Sequence, residues 1–455
     1  MYQYIIAALA LAVNVYAASS ELQIIPGATL TANNYGRHMQ AHGGGIIKVD
    51  DTFYLVGEDK TNGTFFHNIN CFSSKNLVEW NYEGAILSQT GKDELGPNRI
   101  VERPKVIYNK STKKYVLYLH IDGMFYNEAK VGIATSDTVC GKYEFHRSFR
   151  PFDHESRDMG LYQEDDGTAY LMSEDRPTGA HIYKLSDDYL DVTDTVYTWK
   201  KAVESPAMFK RNGNYYIFGS DLTGWTTNDN FYSTAPNLAG PWSEWKKFVP
   251  NGSKTYNSQT SFILPISNDL VIYMGDRWHE KNLMRSTYVW LPLEFSGTND
   301  LDVFMRFHDH WIIDVEKGTW RKGQDEEQYS GQDANLSNGA RVLGCANCKD
   351  QRSVGYIGGS SSGEALFSKV KANGAGKRMM RIFSPNGDFT ERFAGVSING
   401  QEPIRVAFLP TNDADTPDVA GVIVDFKDGD NTIKIQGTGE GWGPDVDRVM
   451  VPMFT

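Results

Sequence analysis

Four side chains able to take part in bond cleavage stand in similar settings along the chain. They are Glu102 in Val-Glu-Arg-Pro, Asp158 in Ser-Arg-Asp-Met-Gly, Glu204 in Val-Glu-Ser-Pro and Gln259 in Asn-Ser-Gln-Thr-Ser-Phe. Each comes just before or at the start of an apolar run that reads as a strand. Three carboxyl groups facing one cavity form the constellation that cleavage of a glycosidic bond needs. One stays protonated to give its proton to the leaving oxygen, and a neighbouring anion helps by raising its pKa. Taken singly, each is an ordinary surface carboxylate beside a turn. What sets them apart is that their frame recurs.

The frame is an apolar strand, an Asp/Asn/Gly turn and a Tyr-rich strand ending in a small residue. After Glu204 it runs Ala207–Phe209, Arg211-Asn212-Gly213, then Tyr215–Gly219. Asn-Gly between two apolar runs is a strong hairpin signal, because both central residues must take positive φ. The other copies pair Gly45–Val49 with Phe53–Gly57, Pro104–Tyr108 with Tyr115–Leu119, Gly160–Gln163 with Ala169–Met172, and Ser261–Pro265 with Leu270–Gly275. Self-similar units at this spacing predict an all-β chain whose residues 21–316 form a five-bladed β-propeller. A sandwich with accidental similarity is the alternative. In a propeller the innermost strands start near the axis, so Glu102, Asp158, Glu204 and Gln259 would meet in one pocket. His42 and the three glycines after it would leave room there. Beyond Asp314 the pattern fades. Residues 317–327 read as a polar linker, and residues 328–455 as a β-sandwich with strands at Leu366–Val370, Met379–Phe383, Val406–Phe408, Val422–Phe426 and Thr432–Gln436.

Composition narrows the ligand. A chain of 455 residues implies two or three domains. A net charge of −12 repels nucleic acid and anionic membranes. An acidic surface with 13% aromatic residues suits a neutral polyhydroxyl ligand. Residues 1–17 read as a secretory signal, cut near Ala17 or Ala18, which predicts an extracellular protein. Sequons at Asn62, Asn109, Asn251 and Asn335 fit that route. The four cysteines allow three connectivities. Cys345 and Cys348 could close on each other, leaving Cys71 with Cys140. A zinc site is the rival, disfavoured because no second Cys pair or His pair accompanies them.

The chain resembles glycoside hydrolase family 43, inverting enzymes on a five-bladed propeller, and most of all its fungal exo-β-1,3-galactanase branch. The resemblance rests on Val-Glu-Arg-Pro-Lys-Val (101–106), Arg-Asp-Met-Gly-Leu-Tyr (157–162), Val-Glu-Ser-Pro-Ala-Met-Phe-Lys (203–210) and Asn-Ser-Gln-Thr-Ser-Phe (257–262). It implies that Glu204 is the general acid and that Asp158 tunes it. The family's base Asp would fall in the Gly43-Gly44 region and is absent, a gap that the galactanase branch shares. Gln259 and Glu102 match that branch's water-side positions. Water would then be activated by Glu102, by a relay, or by an imidic tautomer of Gln259. Sugar contacts are expected from Glu58, Tyr126, Asp175, Thr223 and Trp278.

The C-terminal part resembles carbohydrate-binding module family 35, a jelly-roll sandwich, on Tyr329–Ala340 and Gly441–Val449. That family holds a structural Ca²⁺ on an early Glu-Ala-Glu run and a late Asp. Here Ser330 and Gln332 replace the early acids, and Asp447 remains as a metal ligand. Trp442, Asp445 and Asn347 are its candidate sugar contacts. Together these resemblances imply a monomeric, secreted exo-β-1,3-galactanase without a catalytic cofactor, acting on the galactan backbone of arabinogalactan from the non-reducing end. The alternatives are a sugar-binding propeller that has lost catalysis, and a β-xylosidase or α-arabinofuranosidase, against which the Gly-Gly-Gly run argues.

Overall fold

The computed structural model describes residues 22–453, so the signal sequence read over residues 1–17 lies outside the described residues. The chain is all-β. Residues 42–88, 100–149, 159–198, 204–247 and 259–305 each form a four-stranded antiparallel sheet of consecutive strands. Each of the five strand–turn–strand units opens one of these sheets. At the Asn-Gly turn, Asn212 (φ 49°) and Gly213 (φ 80°) connect Arg211 to its partner Asn214, as the hairpin signal required.

The first strands of successive sheets pack side by side, and that of the fifth sheet returns to that of the first. Trp80 meets Trp290 of the fifth sheet edge-on at 5.9 Å, and both are buried. The Cys71–Cys140 disulfide ties the first sheet to the second, and Cys345–Cys348 closes on itself in the C-terminal part. Of the sequon residues, Asn109 is only 1% exposed. Its amide donates to the Asp187 carbonyl at 2.8 Å and accepts from the Ser111 and Thr112 backbone, so it serves the turn and has no room for a glycan.

A bulge recurs where the inner strands begin. The register shifts between His42 and Gly45, between Glu102 and Lys105, and between Glu204 and Ala207. The residues that follow the first of each, Gly43, Arg103 and Ser205, have φ of 57°, 55° and 53°. A bulge re-aims the side chain beside it. Here it turns His42, Glu102 and Glu204 toward the shared centre.

Residues 326–453 supply all five strands of one sheet and four of the five strands of a second, over a common apolar core that includes Phe367, Met380, Val396, Val422 and Ile433. The expected linker is a correction. Within residues 317–327, Thr319–Lys322 pairs with Trp311–Asp314, and Glu326–Ser330 pairs with Arg448–Pro452. Polar composition was misleading, because both strands lie at sheet edges where one face meets water. The N-terminal segment is divided the same way. Gln23–Ile24 pairs with Trp311–Asp314, whereas Thr29–Leu30 adds a parallel strand to Asp418–Phe426 of the C-terminal part. Arg37–Glu391 (2.7 Å), Lys377–Glu79 (3.0 Å) and Arg285–Asp418 (3.2 Å) bridge the two parts.

Because a strand from the N-terminus completes the C-terminal sheet, removing residues 323–455 should destabilise what remains. The full chain should unfold in one calorimetric transition, and the shortened chain should melt lower or aggregate. An unchanged melting temperature would show the two parts to be independent.

Candidate active site

The bulged strand starts bring acids from neighbouring sheets within contact of one another. Glu204 is 5% exposed, and its carboxyl meets Arg176 Nη2 at 3.1 Å and Gln259 Nε2 at 3.2 Å. Asp158 Oδ2 accepts from the Ser205 backbone N–H (3.1 Å) and hydroxyl (3.0 Å) and from Arg103 Nη2 (2.8 Å). Those bonds seat Asp158 beside Glu204. Glu174, fully buried on the third sheet, bonds Arg176 at 2.7 Å and accepts from the Asp158 N–H at 3.3 Å. Burial first, then the Asp158 and Glu174 charges, push Glu204 up to about 8. Burial and Asp158 likewise raise Glu174 to about 7. A carboxyl that keeps its proton at neutral pH is equipped to donate it.

Glu102 is governed by the opposite balance. Burial alone would raise it, but Lys60 at 3.3 Å, together with His120 and Arg103, outweighs burial and holds it at about 2. His120 lies between Glu102 (3.5 Å) and Asp122 (3.0 Å), and despite burial these partners raise it to about 9. Tyr126 OH donates to Glu102 Oε1 at 3.0 Å. Glu102 is therefore a fixed anion within a ring of donors.

Gln259 is fully engaged. Its Oε1 accepts from Arg103 Nη2 (2.7 Å) and Trp278 Nε1 (2.8 Å), and its Nε2 donates to Glu204 and to Ser220 Oγ (2.9 Å). Arginine and tryptophan can only donate, so the amide's orientation is set by chemistry. An imidic form, with a proton on Oε1, would face two donors and has no place in this arrangement. Glu58 is buried, pairs with Lys60 at 2.5 Å and accepts from the Arg103 backbone N–H at 2.9 Å. A Cβ on Gly43 would lie 2.0 Å from Glu58 Oε1. The Glu58 carboxylate thus occupies the space that a side chain at position 43, where the base was expected, would need.

The structure brings Glu58, Glu102, Tyr126, Asp158, Glu204, Gln259 and Trp278 together. Two expected contacts lie elsewhere. Asp175 is buried against His154 (2.8 Å) and His181 (3.2 Å), away from the acids. Neighbouring residues of extended chain point to opposite sides, so Glu174 rather than Asp175 faces Glu204. Thr223 is exposed on the loop after the second strand of the fourth sheet, bonded to Thr226 and Asn228. Sequence reasoning passed over Arg103, Lys60, His120, Glu174, Arg176 and Trp225. Arg103 lies inside a motif already singled out, and Lys60 sits two residues from Glu58. Parity along the strand could have found both Lys60 and Glu174.

In the C-terminal part, Trp442 is 46% exposed and stands edge-on to Tyr356 at 5.5 Å. Burial raises Asp445 to about 6, with Arg392 4.0 Å away. Asn347 donates to Thr416 at 3.2 Å. Asp447 does not fit the expected calcium role. Its carboxylate accepts from the Lys349 N–H at 3.0 Å and is paired with the Arg448 guanidinium, so donors stand where a cation needs oxygens.

Gly43 offers a direct test of this packing. Replacing it with alanine adds left-handed strain of about 1–2 kcal/mol and drives a methyl group into Glu58. Gly43→Ala should lower the melting temperature and displace Glu58, as a crystal structure of the variant would show. Full stability would mean that the carboxylate yields freely.

Residues 41–278 match the model of glycosyl hydrolases family 43. The exo-β-1,3-galactanase from Phanerochaete chrysosporium, solved with galactose, is 33% identical over 94% of this chain and 100% of its own, with a TM-score of 0.67. A putative exo-β-1,3-galactanase from Bifidobacterium bifidum is 39% identical over 63% of this chain and 97% of its own, with a TM-score of 0.60. An exo-β-1,3-galactanase from Clostridium thermocellum is 26% identical over 88% of this chain and 100% of its own, with a TM-score of 0.62. No curated protein among those compared matches the chain. A family match over more than half of the chain, joined to buried acids of opposed proton affinity at the strand starts, makes this chain a glycoside hydrolase of family 43.

Proposed function

We propose that the protein is a secreted exo-β-1,3-galactanase. It would remove galactose from the non-reducing end of β-1,3-galactan, such as the backbone of arabinogalactan, with inversion. The five sheets are read as blades of a propeller, and residues 328–455 as a carbohydrate-binding module of the family 35 type. The observation that carries the reading is Glu204, a buried carboxyl raised to about 8 by burial and by Asp158 and Glu174, at the centre of the acid cluster. Glu204 donates the proton to the departing glycosidic oxygen. Asp158, held by Ser205 and Arg103, keeps that proton in place and orients its neighbour. A non-catalytic sugar binder has no use for so protonated an acid. The Phanerochaete enzyme was also solved, as a Glu-to-Gln variant, with β-1,3-galactotriose.

On the water side stand Glu102, Gln259 and Glu58. Gln259 aligns the acid and borders the water as an ordinary amide. Glu102 anchors the ring of donors as a fixed anion. Glu58 fills the place of the missing Asp at position 43, and burial raises it above its ordinary value, toward the range where a base works best.

Linear β-1,3-galactan should yield galactose alone, first as the α-anomer; xylan and arabinan should yield nothing. Glu204→Gln should slow turnover by roughly 10²–10⁴ while leaving the melting temperature intact. A variant that keeps a tenth of the activity would remove Glu204 from the role of acid. Gln259→Glu should also lose activity, because a carboxylate there loses its bond to Glu204 and adds charge beside it. Retained activity would show that a carboxylate at position 259 can serve as a conventional base.

The pH profile gives an independent check. With the acid near 8, kcat/KM should fall on the alkaline side around that pH. Glu174→Gln removes a neighbouring charge and should move that limb to lower pH. Glu204 and Glu174 bind their protons more tightly in the folded state than at their ordinary value of 4.5. Stability from this source is therefore full below that value and is lost as pH rises toward 8.

A further inference from the structure

A second cluster of metal-ligating groups lies beside the third sheet, apart from the acids. His154, Asp175 and His181 each place one ligand atom within 4.8 Å of the others. His154 Nδ1 stands 2.8 Å and His181 Nε2 3.2 Å from Asp175 Oδ2. The Thr178 hydroxyl reaches the same carboxylate oxygen and lies 3.0 Å from His181 Nε2 and 3.3 Å from His154 Nδ1. Three side chains thus converge on a single oxygen. The other oxygen, Asp175 Oδ1, is buried and has no hydrogen-bond partner among the described residues. A carboxylate has room for donors on both oxygens, and a buried acceptor left bare is uncommon.

The fold holds each group in place. His154 follows a single turn at Pro151–Asp153, whose Phe152 ring meets Tyr183 at 5.8 Å. His181 stacks on the same Tyr183 at 5.1 Å, and its Nδ1 is engaged by Thr198 Oγ1 at 3.0 Å. A histidine ligand keeps its second nitrogen bonded in this way, which fixes the ring and frees the first to bind. The Gly179 N–H donates to the Asp175 carbonyl at 2.8 Å, closing the turn that brings Thr178 back to the carboxylate. The His154 side chain remains 38% exposed and Thr178 faces solvent, so an ion has a way in.

We propose that His154, Asp175 and His181 form a binding site for a divalent transition-metal ion of the zinc type. Two imidazoles and a carboxylate suit such an ion, with Thr178 or a water as fourth ligand. Calcium prefers six or more oxygen ligands and would find too few here. Zinc bonds of ~2.0–2.2 Å in a tetrahedron put ligand atoms about 3.3–3.6 Å apart, a small opening of the present spacings. The ion clamps the segment ending in His154 to the turn that starts at Asp175. His154 lies shortly before Asp158 and Asp175 directly follows Glu174, so the clamp secures the chain next to both members of that hydrogen-bonded pair. Binding at this site does not depend on the hydrolytic reading.

The test uses full-length protein without a histidine tag, stripped with a chelator and dialysed. Titration calorimetry should show Zn²⁺ binding that Ca²⁺ in large excess does not displace, and the melting temperature should rise with Zn²⁺. His154→Ala should weaken that binding by at least about 100-fold, since losing even an outer partner of a ligand costs about 10–100-fold. Crystals of the wild-type protein soaked in Zn²⁺ should show an anomalous peak among His154, Asp175 and His181, a result that does not require the variant to fold. Displacement by Ca²⁺, or unchanged Zn²⁺ affinity in folded His154→Ala, would overturn the site. So would an anomalous peak at other histidines only, or no peak at all.

Discussion

The site is organised around one buried guanidinium. Arg103 is 6% exposed and belongs to the second sheet. Its Nη2 bonds Asp158 of the third sheet and Gln259 of the fifth, and its backbone N–H bonds Glu58 of the first. A buried charge is tolerated only where partners surround it. Arg103 therefore constrains four sheets to present their acceptors at one point. Its positive φ, inside the bulge after Glu102, lets backbone and side chain serve different neighbours at once.

From this arrangement follow two populations of carboxyl groups within one cavity. Glu102 lies near Lys60 and His120 and is held as an anion. Glu204 lies near Asp158 and Glu174, with Arg176 only half-buried at its side, and is held protonated. Burial acts on both in the same direction, so the balance of surrounding charges decides the outcome: cations prevail around Glu102, and the Asp158 and Glu174 carboxylates prevail around Glu204. Protonated and ionised carboxyl groups are kept apart in this way within one cavity. Gln259 sits on the boundary, giving its amide hydrogens to the protonated side and taking hydrogens from Arg103 and Trp278.

The two parts of the chain form a continuous structure. Thr29–Leu30 completes a C-terminal sheet before the chain enters the first four-stranded sheet, and Gln23–Ile24 stays with Trp311–Asp314. A tether of free chain would let a binding module raise local concentration alone. Here the shared strand and the ion pairs fix the C-terminal part against the four-stranded sheets instead.

The sequence by itself determined the local elements. Asn-Gly, Asp-Gly and Tyr-rich alternation specify hairpins because their φ and side-chain requirements are short-range, and those hairpins open the sheets at the expected residues. It also determined which strand starts carry acids, since Glu102, Asp158, Glu204 and Gln259 each adjoin an unmistakable strand. Tertiary structure decided what those acids do. Whether Glu174 or Asp175 faces Glu204 depends on strand parity at the end of a strand, and the hub role of Arg103 depends on residues 45 to 156 positions away in sequence. Residues 317–327 looked like a linker because their polar side chains serve edge strands, whose hydrogen-bond partners are 311–314 and 448–452. Proton affinity, too, is a property of assembly. A carboxyl alone in water holds its ordinary value, and only burial beside Asp158 and Glu174 keeps the proton on Glu204.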